Sequence, residues 1–393
     1  MSTEIDAEAI TAVDESVEEE GLEEGLDARL FAFLRSSLWR DAVLPTIAIR
    51  LTVVAASYLL VTIFRPEVLS SGNPLEPWIR WDVPHYLDVA REGYVDPNRS
   101  VIFPLFPALI AIGSLIAPPL LVGMTISFVA TAAAAAGLYQ LVRLDYGRTT
   151  ARTAVLALNV FPTSYWLSAS YTDALFLGFV VWTLLSGRRQ QWQQAGVLAL
   201  LAGATRLQGA FLVPALIAEY LVLHRRPGRP LAWFALGLLG LALYLGINLV
   251  VYGDPLFFVA IQRATFGLEN VAPWTVIGNL VAGVTGATHD EQWVTLYVAP
   301  LAAYLILAAV TAWTVLQRPI RPSYAVYTAL TLVTLLTLSW PISMPRYLLG
   351  VPMLFIGLAL LGRRPGTGPA ALVASILLMG AFLTLLAMGH WAF

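Results

Sequence analysis

The chain has 393 residues, 58% of them hydrophobic and only 12% charged, with a formal net charge of −2. Such a composition excludes an ordinary soluble domain and reads as a helical protein crossing the membrane many times; no nucleic-acid partner is expected. Cysteine is absent and all 23 basic residues are arginine, which excludes disulfides, thiol nucleophiles, Cys-ligated zinc and Schiff-base lysine chemistry.

Residues 1–28 come first. Eleven of the 25 acids lie within residues 1–27, with no basic residue among them. This polar, Glu-rich tail predicts a disordered cytoplasmic segment, and it lacks the positive start and apolar core of a signal peptide. Residues 29–41 turn amphipathic, with Leu30, Phe33, Leu34 and Leu38 set against Arg29, Arg35 and Arg40. That pattern suits a helix on the inner membrane surface. Residues 42–393 form the membrane domain. A span needs roughly 20 apolar residues, which places spans at 42–64, 120–142, 150–167, 171–187, 192–206, 209–223, 231–252, 294–316, 322–340, 346–362 and 369–391. The expected fold class is therefore an all-α polytopic bundle of about 11 transmembrane helices. Arg50 is a charge well inside the first span, placed to snorkel or to face a partner.

Short arginine-bearing linkers at 143–152, 188–189, 224–230, 317–321 and 363–364 belong on the cytoplasmic face by the positive-inside rule. Eleven crossings then leave 65–119, 168–172, 206–208, 253–293 and 340–345 outside. The stretch 101–117, short and flanked by Pro104, Pro107, Pro118 and Pro119, is expected to insert only halfway. The outer segments hold or adjoin nearly every polar residue without a topological role, as an enzyme working on the outer surface would require.

Within outer loop 65–119, Asp82 stands just before Pro84 and opens a short helix. It is either a helix cap or a general base able to take a proton from a sugar hydroxyl. Trp81, His85 and Tyr86 beside it offer aromatic and hydrogen-bonding surfaces for a sugar, and Trp and Tyr are also common membrane anchors. Asp173 sits where one span leaves and the next begins. Arg206 and Arg346 are outer-side arginines at span ends, against the charge rule; each calls for an anionic partner such as a phosphate, or an acid such as Asp173. Gln208 and Tyr347 adjoin them as candidate substrate contacts. Asp254 reads as a turn residue, and Gln262 and Arg263 as a substrate contact or a solvated face. The four histidines (His85, His224, His289, His390) form no ligand pair, and no nucleotide-binding fingerprint stands in a strand–helix context. Asp82, Asp88 and Asp173 could share a divalent ion, and the residues point to no other cofactor.

The order of these blocks resembles one family. Trp81-Asp82 with Tyr86, Gly93-Tyr94 and Phe103-Pro104-Leu105-Phe106-Pro107 are similar to the signature of membrane mannosyltransferases related to the enzyme that adds the second mannose of GPI anchors. Phe161-Pro162 with Tyr171-Thr172-Asp173-Ala174-Leu175-Phe176, then Thr205-Arg206 through Gly209, Tyr252-Gly253-Asp254-Pro255-Leu256 with Gln262, and Pro345-Arg346-Tyr347 follow in register. Asp173 stands where that family usually carries glutamate.

The resemblance implies a GT-C glycosyltransferase with a short helical first outer loop. It also implies a polyprenyl-phosphate-linked sugar donor, most simply mannose, and a lipid or glycan acceptor. Asp82 would be the base in the outer loop, Arg206 and Arg346 would hold the donor phosphate, and a partner subunit is known for eukaryotic relatives. The expected setting is a prokaryotic plasma membrane, with the N-terminus cytoplasmic and the site outside. The alternatives are transfer to protein, transfer of another sugar, and transport of a lipid-linked sugar.

Overall fold

A computed structural model describes residues 32–69, 75–286, 292–317 and 320–393. The acidic tail, the start of the expected surface helix and His289 lie outside the described residues. Among the described residues the secondary structure is helical, apart from a single β-bridge between Asn270 and Leu338.

Residues 32–35 are helical, and the chain bends at Ser36. It then continues through a π turn, Trp39–Val43, into α1, Leu44–Phe64. The outer loop carries α2, Val83–Glu92, and α3, Leu105–Gly113. The bundle proper is α4, Pro119–Val160; α5, Thr172–Arg188; α6, Trp192–Gly203; α7, Leu212–His224; and α8, Pro230–Tyr252. Two outer helices follow, α9, Phe257–Phe266, and α10, Pro273–Gly286. The chain closes with α11, Ala299–Gln317; α12, Pro322–Leu335; the turn α13, Met344–Tyr347; α14, Pro352–Leu361; and α15, Thr367–Met388.

Among the described residues, six helices are long and apolar enough to cross a membrane, or seven if the bent pair Met344–Gly350 and Pro352–Leu361 is one span. The expected 11 spans differ from this for identifiable reasons. The expected spans 120–142 and 150–167 form one broken helix, α4, which kinks at Gly147 (φ 81°, ψ 174°). That helix stops at Val160 rather than 167, because the residue before a proline is driven out of helical space and Phe161, before Pro162, is extended (φ −56°, ψ 142°). Helices α5, α6 and α12 have 17, 12 and 14 residues, about 26, 18 and 21 Å, and fall short of the apolar core thickness. The expected span 346–362 breaks by 89° at Val351, ahead of Pro352. Helix α3, with nine residues, covers only about 14 Å and is too short to cross. Ile112 at its end and Leu115 and Ile116 just beyond it are exposed.

Helix α4 is the centre of the bundle: 61% of its apolar window is buried, against 22% for α1 and for α15. The helices packed on it include α5, α1 and α14. The pair α6 and α8 packs closely through small residues, as membrane helices do. A Cβ on Gly240 would run into the Leu200 carbonyl oxygen and sit 2.6 Å from the Ala204 amide nitrogen. Gly240→Ala is therefore expected to destabilise the protein by about 1–3 kcal/mol, the cost of overpacking, which exceeds its gain in helix propensity of about 1 kcal/mol. Gly246→Ala, on the same helix with open space around it, should show only the gain. Thermal unfolding of the two variants in detergent checks this difference.

Arg50 does not snorkel but faces partners, and among the described residues these are not acids. Fully buried, it donates to the carbonyls of Asn159 and Ser164 and, at 3.3 Å, to Ser164 Oγ. It thereby pins the turn that leads out of α4 towards Tyr171. At the far end of α5, Arg188 pairs with Asp145 and Glu219, Tyr324 donates to Asp145 at 2.8 Å, and Ser323 donates to Glu219 at 2.9 Å. Helix α5 is thus fixed at the end opposite Asp173.

Candidate active site

The turn Arg80–Val83 opens the site. Val83 N–H donates to the Arg80 carbonyl at 3.0 Å, and Trp81 sits in the left-handed region at φ 51°. A bulky residue held there costs roughly 1–3 kcal/mol and persists only where the surroundings impose it. Tyr171 imposes it: its hydroxyl accepts from Asp82 N–H at 3.0 Å and donates to the Arg80 carbonyl at 3.2 Å. The indole of Trp81 packs edge-on against Trp391 at 4.8 Å. Asp82 occupies the N-cap position of α2, yet its side chain makes no capping bond. The carboxylate is 42% exposed and faces Arg346, with Oδ2 3.4 Å from Nη2. The cap reading of Asp82 therefore fails, and its oxygens remain available to solvent.

Arg346 comes from α13, a turn held in place by Thr163, whose hydroxyl donates to the Pro345 carbonyl at 3.0 Å. Its side chain is only 4% exposed. It lies between Asp82 and Asp173, with Nε 3.8 Å from Asp173 Oδ2, and Nη1 donates to the Phe393 carbonyl at 3.5 Å. Three rings bed it: Tyr171 at 4.8 Å, Trp166 at 5.6 Å and Tyr347 at 5.7 Å. All three polar distances are long for charge-assisted hydrogen bonds, and Nε has no hydrogen-bond partner.

Asp173 lies in the first turn of α5, where the helix dipole favours a carboxylate, and its side chain is 1% exposed. Arg206 donates to Asp173 Oδ2 at 2.6 Å and to Thr172 Oγ1 at 2.8 Å. Its guanidinium stands 5.7 Å from the Tyr347 ring, as does that of Arg346. Asp173 Oδ2 thus serves both arginines, while Oδ1 is buried with no partner. Two arginines and two aspartates cancel in formal charge. A buried guanidinium with unfilled donors beside a buried carboxylate with an unfilled acceptor is a polar site short of partners, and such groups are costly unless something completes them.

The structure brings Asp82, Asp173, Arg206, Arg346 and Tyr347 together and sets Trp81 at their edge. Tyr86 is buried against Phe106 and Tyr171, so it packs behind the turn instead of offering an open face. Burial, and then the charge of Asp82, push its phenol above the usual tyrosine range. The Tyr171 phenol is raised by the same two causes in the same order, so both stay neutral hydroxyls. His85 and Gln208 are half-buried and make no side-chain hydrogen bond among the described residues. Asp88 turns instead to Arg99 at 3.8 Å, and no cluster of three His, Asp or Glu side chains forms among the described residues. The shared ion of Asp82, Asp88 and Asp173 therefore has no common centre. Asp254 accepts from Leu256 N–H at 2.8 Å, as a turn residue does, and Arg263 pairs with Glu269 on the surface.

Sequence reading missed Tyr171, Thr172, Trp166 and the segment ending in Trp391 and Phe393. Tyr171 and Thr172 adjoin Asp173 and carried a signal by position. Trp391 carried none.

The family model described as dolichyl-phosphate-mannose-protein mannosyltransferase matches residues 98–248, a stretch that contains Tyr171, Asp173 and Arg206 but not Asp82 or Arg346. No curated protein sequence matches the chain. Among solved structures, the Archaeoglobus fulgidus oligosaccharyltransferase in complex with zinc and sulfate is similar at 14% identity and a TM-score of 0.46, covering 86% of this chain and 53% of that one. The same archaeal enzyme in its apo form gives 13% identity and a TM-score of 0.43, with 86% and 55% covered. The chain spans about half the length of the structures it matches.

Proposed function

We propose that this chain is a membrane glycosyltransferase of the GT-C type. It would move a hexose, most simply mannose, from a polyprenyl-phosphate donor to a lipid or glycan acceptor on the outer face, with inversion. The observation that carries this reading is Arg346: a buried guanidinium with spare donors, set between an exposed carboxylate and a buried one. The similarity of residues 98–248 to a mannosyltransferase family supports the same reading, as does the resemblance to the GPI-anchor mannosyltransferases.

Asp82 takes the proton of an acceptor hydroxyl as that oxygen bonds to the anomeric carbon. The bond from that carbon to the phosphate oxygen breaks on the opposite face, and the lipid phosphate leaves with the electron pair. Arg346 and Arg206, both largely buried, meet the charge that grows on the phosphate as donors already in place. Asp173 holds the two guanidinium groups in register, and the Tyr347 ring stands 5.7 Å from each. Protonated Asp82 then returns its proton to solvent through its exposed oxygens.

The family model bears the name of protein mannosyltransferases, which favours a second reading of the acceptor: a protein hydroxyl in place of a lipid. The test is sugar transfer by the purified protein, with mannosyl-phospho-polyprenol or a mannose nucleotide as donor and a lipid extract or a Ser/Thr peptide as acceptor. Transfer from the lipid donor alone is expected. Transfer from the nucleotide alone would overturn the reading, and the acceptor arms decide between its two forms.

Tyr171→Phe keeps the ring under Arg346 and removes both hydrogen bonds to the Arg80–Asp82 turn. Each such bond contributes about 0.5–1.5 kcal/mol, so kcat should fall about tenfold with little change in donor KM. Steady-state kinetics at varied donor concentration measures both; an unchanged kcat would remove Tyr171 from the positioning of Asp82.

A further inference from the structure

At the end of α1 away from Asp82, the bundle carries a cavity. It occupies about 320 Å³ between the start of α1 and the second half of α4. Two helix stripes face one another across it: Asp41, Pro45 and Ile49, each four residues apart, and Arg152, Leu156 and Asn159, at spacings of four and three. Both spacings put side chains on one helix face. The mouth is charged, Pro45, Ile49, Val155 and Leu156 line the walls together with Thr149 and Thr153, and the lining also includes Asn159, whose amide donates to Thr46 Oγ1 at 2.8 Å.

The mouth has excess positive charge. Asp41, 6% exposed, accepts from Arg148 at 2.7 Å and stands 3.7 Å from Arg152. Arg40 lines the cavity, is exposed, and forms no ion pair among the described residues. Three arginines against one aspartate leave two positive charges. Arg152 is 63% exposed, so its guanidinium is open to a ligand. The active site lies elsewhere: α1 has 21 residues, about 31 Å of helix, and Arg65 just beyond its far end lies against Gly389, close in sequence to Trp391.

We propose that this groove binds one anionic phospholipid, its phosphate between Arg40 and Arg152 and the upper part of one chain along Pro45, Ile49 and Leu156. Charge complementarity selects the headgroup, and the apolar side chains of the walls select a lipid over a free anion. The proposal does not depend on the catalytic reading.

The test uses the full-length protein, reconstituted in vesicles of mixed phosphatidylglycerol and phosphatidylcholine and re-extracted in mild detergent, with retained lipid counted by mass spectrometry. Wild type should retain phosphatidylglycerol in preference. An arginine near an anionic headgroup contributes about a fivefold preference, so Arg40→Gln and Arg152→Gln together should lower retention about 25-fold. Ile49→Trp, which fills the groove without changing charge, should also lower it. Undiminished retention in the double variant would overturn the proposal, as would an equal loss in Arg225→Gln, an exposed arginine outside the groove. Displacement of the lipid by inorganic phosphate, with Ile49→Trp still retaining phosphatidylglycerol, would show an anion site without a lipid chain and would also overturn it.

Discussion

Asp82→Asn is expected to lower sugar transfer by about 100- to 10,000-fold, the usual contribution of a positioned general base, while melting temperature and donor binding stay close to wild type. The side chain makes no cap bond to α2 and is 42% exposed, so the amide fits the same space and little of the fold rests on the charge. Its one ionic contact among the described residues is the 3.4 Å approach to Arg346. Arg346 keeps Asp173 when that contact goes, so the guanidinium is not left alone. The loss should therefore fall on kcat. Steady-state kinetics with saturating lipid donor, beside donor-binding and thermal-unfolding measurements on the same preparation, separates the effects. Turnover within a few-fold of wild type would mean that another group accepts the proton.

Arg346→Lys should lose about 100- to 1,000-fold in kcat, the scale seen when one preorganised donor to a developing anion is removed. The substitution keeps the charge, but a compact ammonium cannot reach Asp82, Asp173 and the Phe393 carbonyl at once as the planar fork does, nor keep the guanidinium's contact with the Tyr171 and Tyr347 rings. Arg346→Ala should add a stability cost of about 3–5 kcal/mol, typical of breaking a buried ion pair. Arg206 moderates that cost, because it still holds Asp173 at 2.6 Å. Comparing the two variants by thermal unfolding and by kcat divides the fold role of Arg346 from its chemical role. A lysine variant that folds and turns over as wild type would remove Arg346 from phosphate stabilisation.

The two predictions differ in kind because the two residues differ in burial. Asp82 is exposed, held by its backbone through Tyr171, and free to exchange protons. Arg346 is buried, held by rings and acids, and made to stay charged and still. Their opposed surroundings, 3.4 Å apart, are what a proton acceptor and an anion clamp each require.

The sequence alone determined the fold class and singled out the residues proposed for the site. A chain with 58% hydrophobic residues must hide its backbone polar groups in helices if it enters lipid, and few charges are then left to explain. Asp82, Asp173, Arg206, Arg346 and Tyr347 stood out because each was a polar or aromatic residue without a topological task. Span ends were less legible. Helix α4 stops at Val160, α6 and α12 are too short to cross by themselves, and the chain bends by 89° at Val351, since prolines and packing against neighbouring helices end a helix where hydropathy does not. Only tertiary structure decided which ions pair. Asp82 lies 264 residues from Arg346, and no local periodicity links them. It also decided that Asp82 is not a cap, that Asp88 belongs with Arg99, that Tyr86 is packing, and that Tyr171 and Trp391 hold the strained Trp81. Those outcomes depend on which segments of a folded bundle meet at one end, and each segment's own sequence is silent about its neighbours.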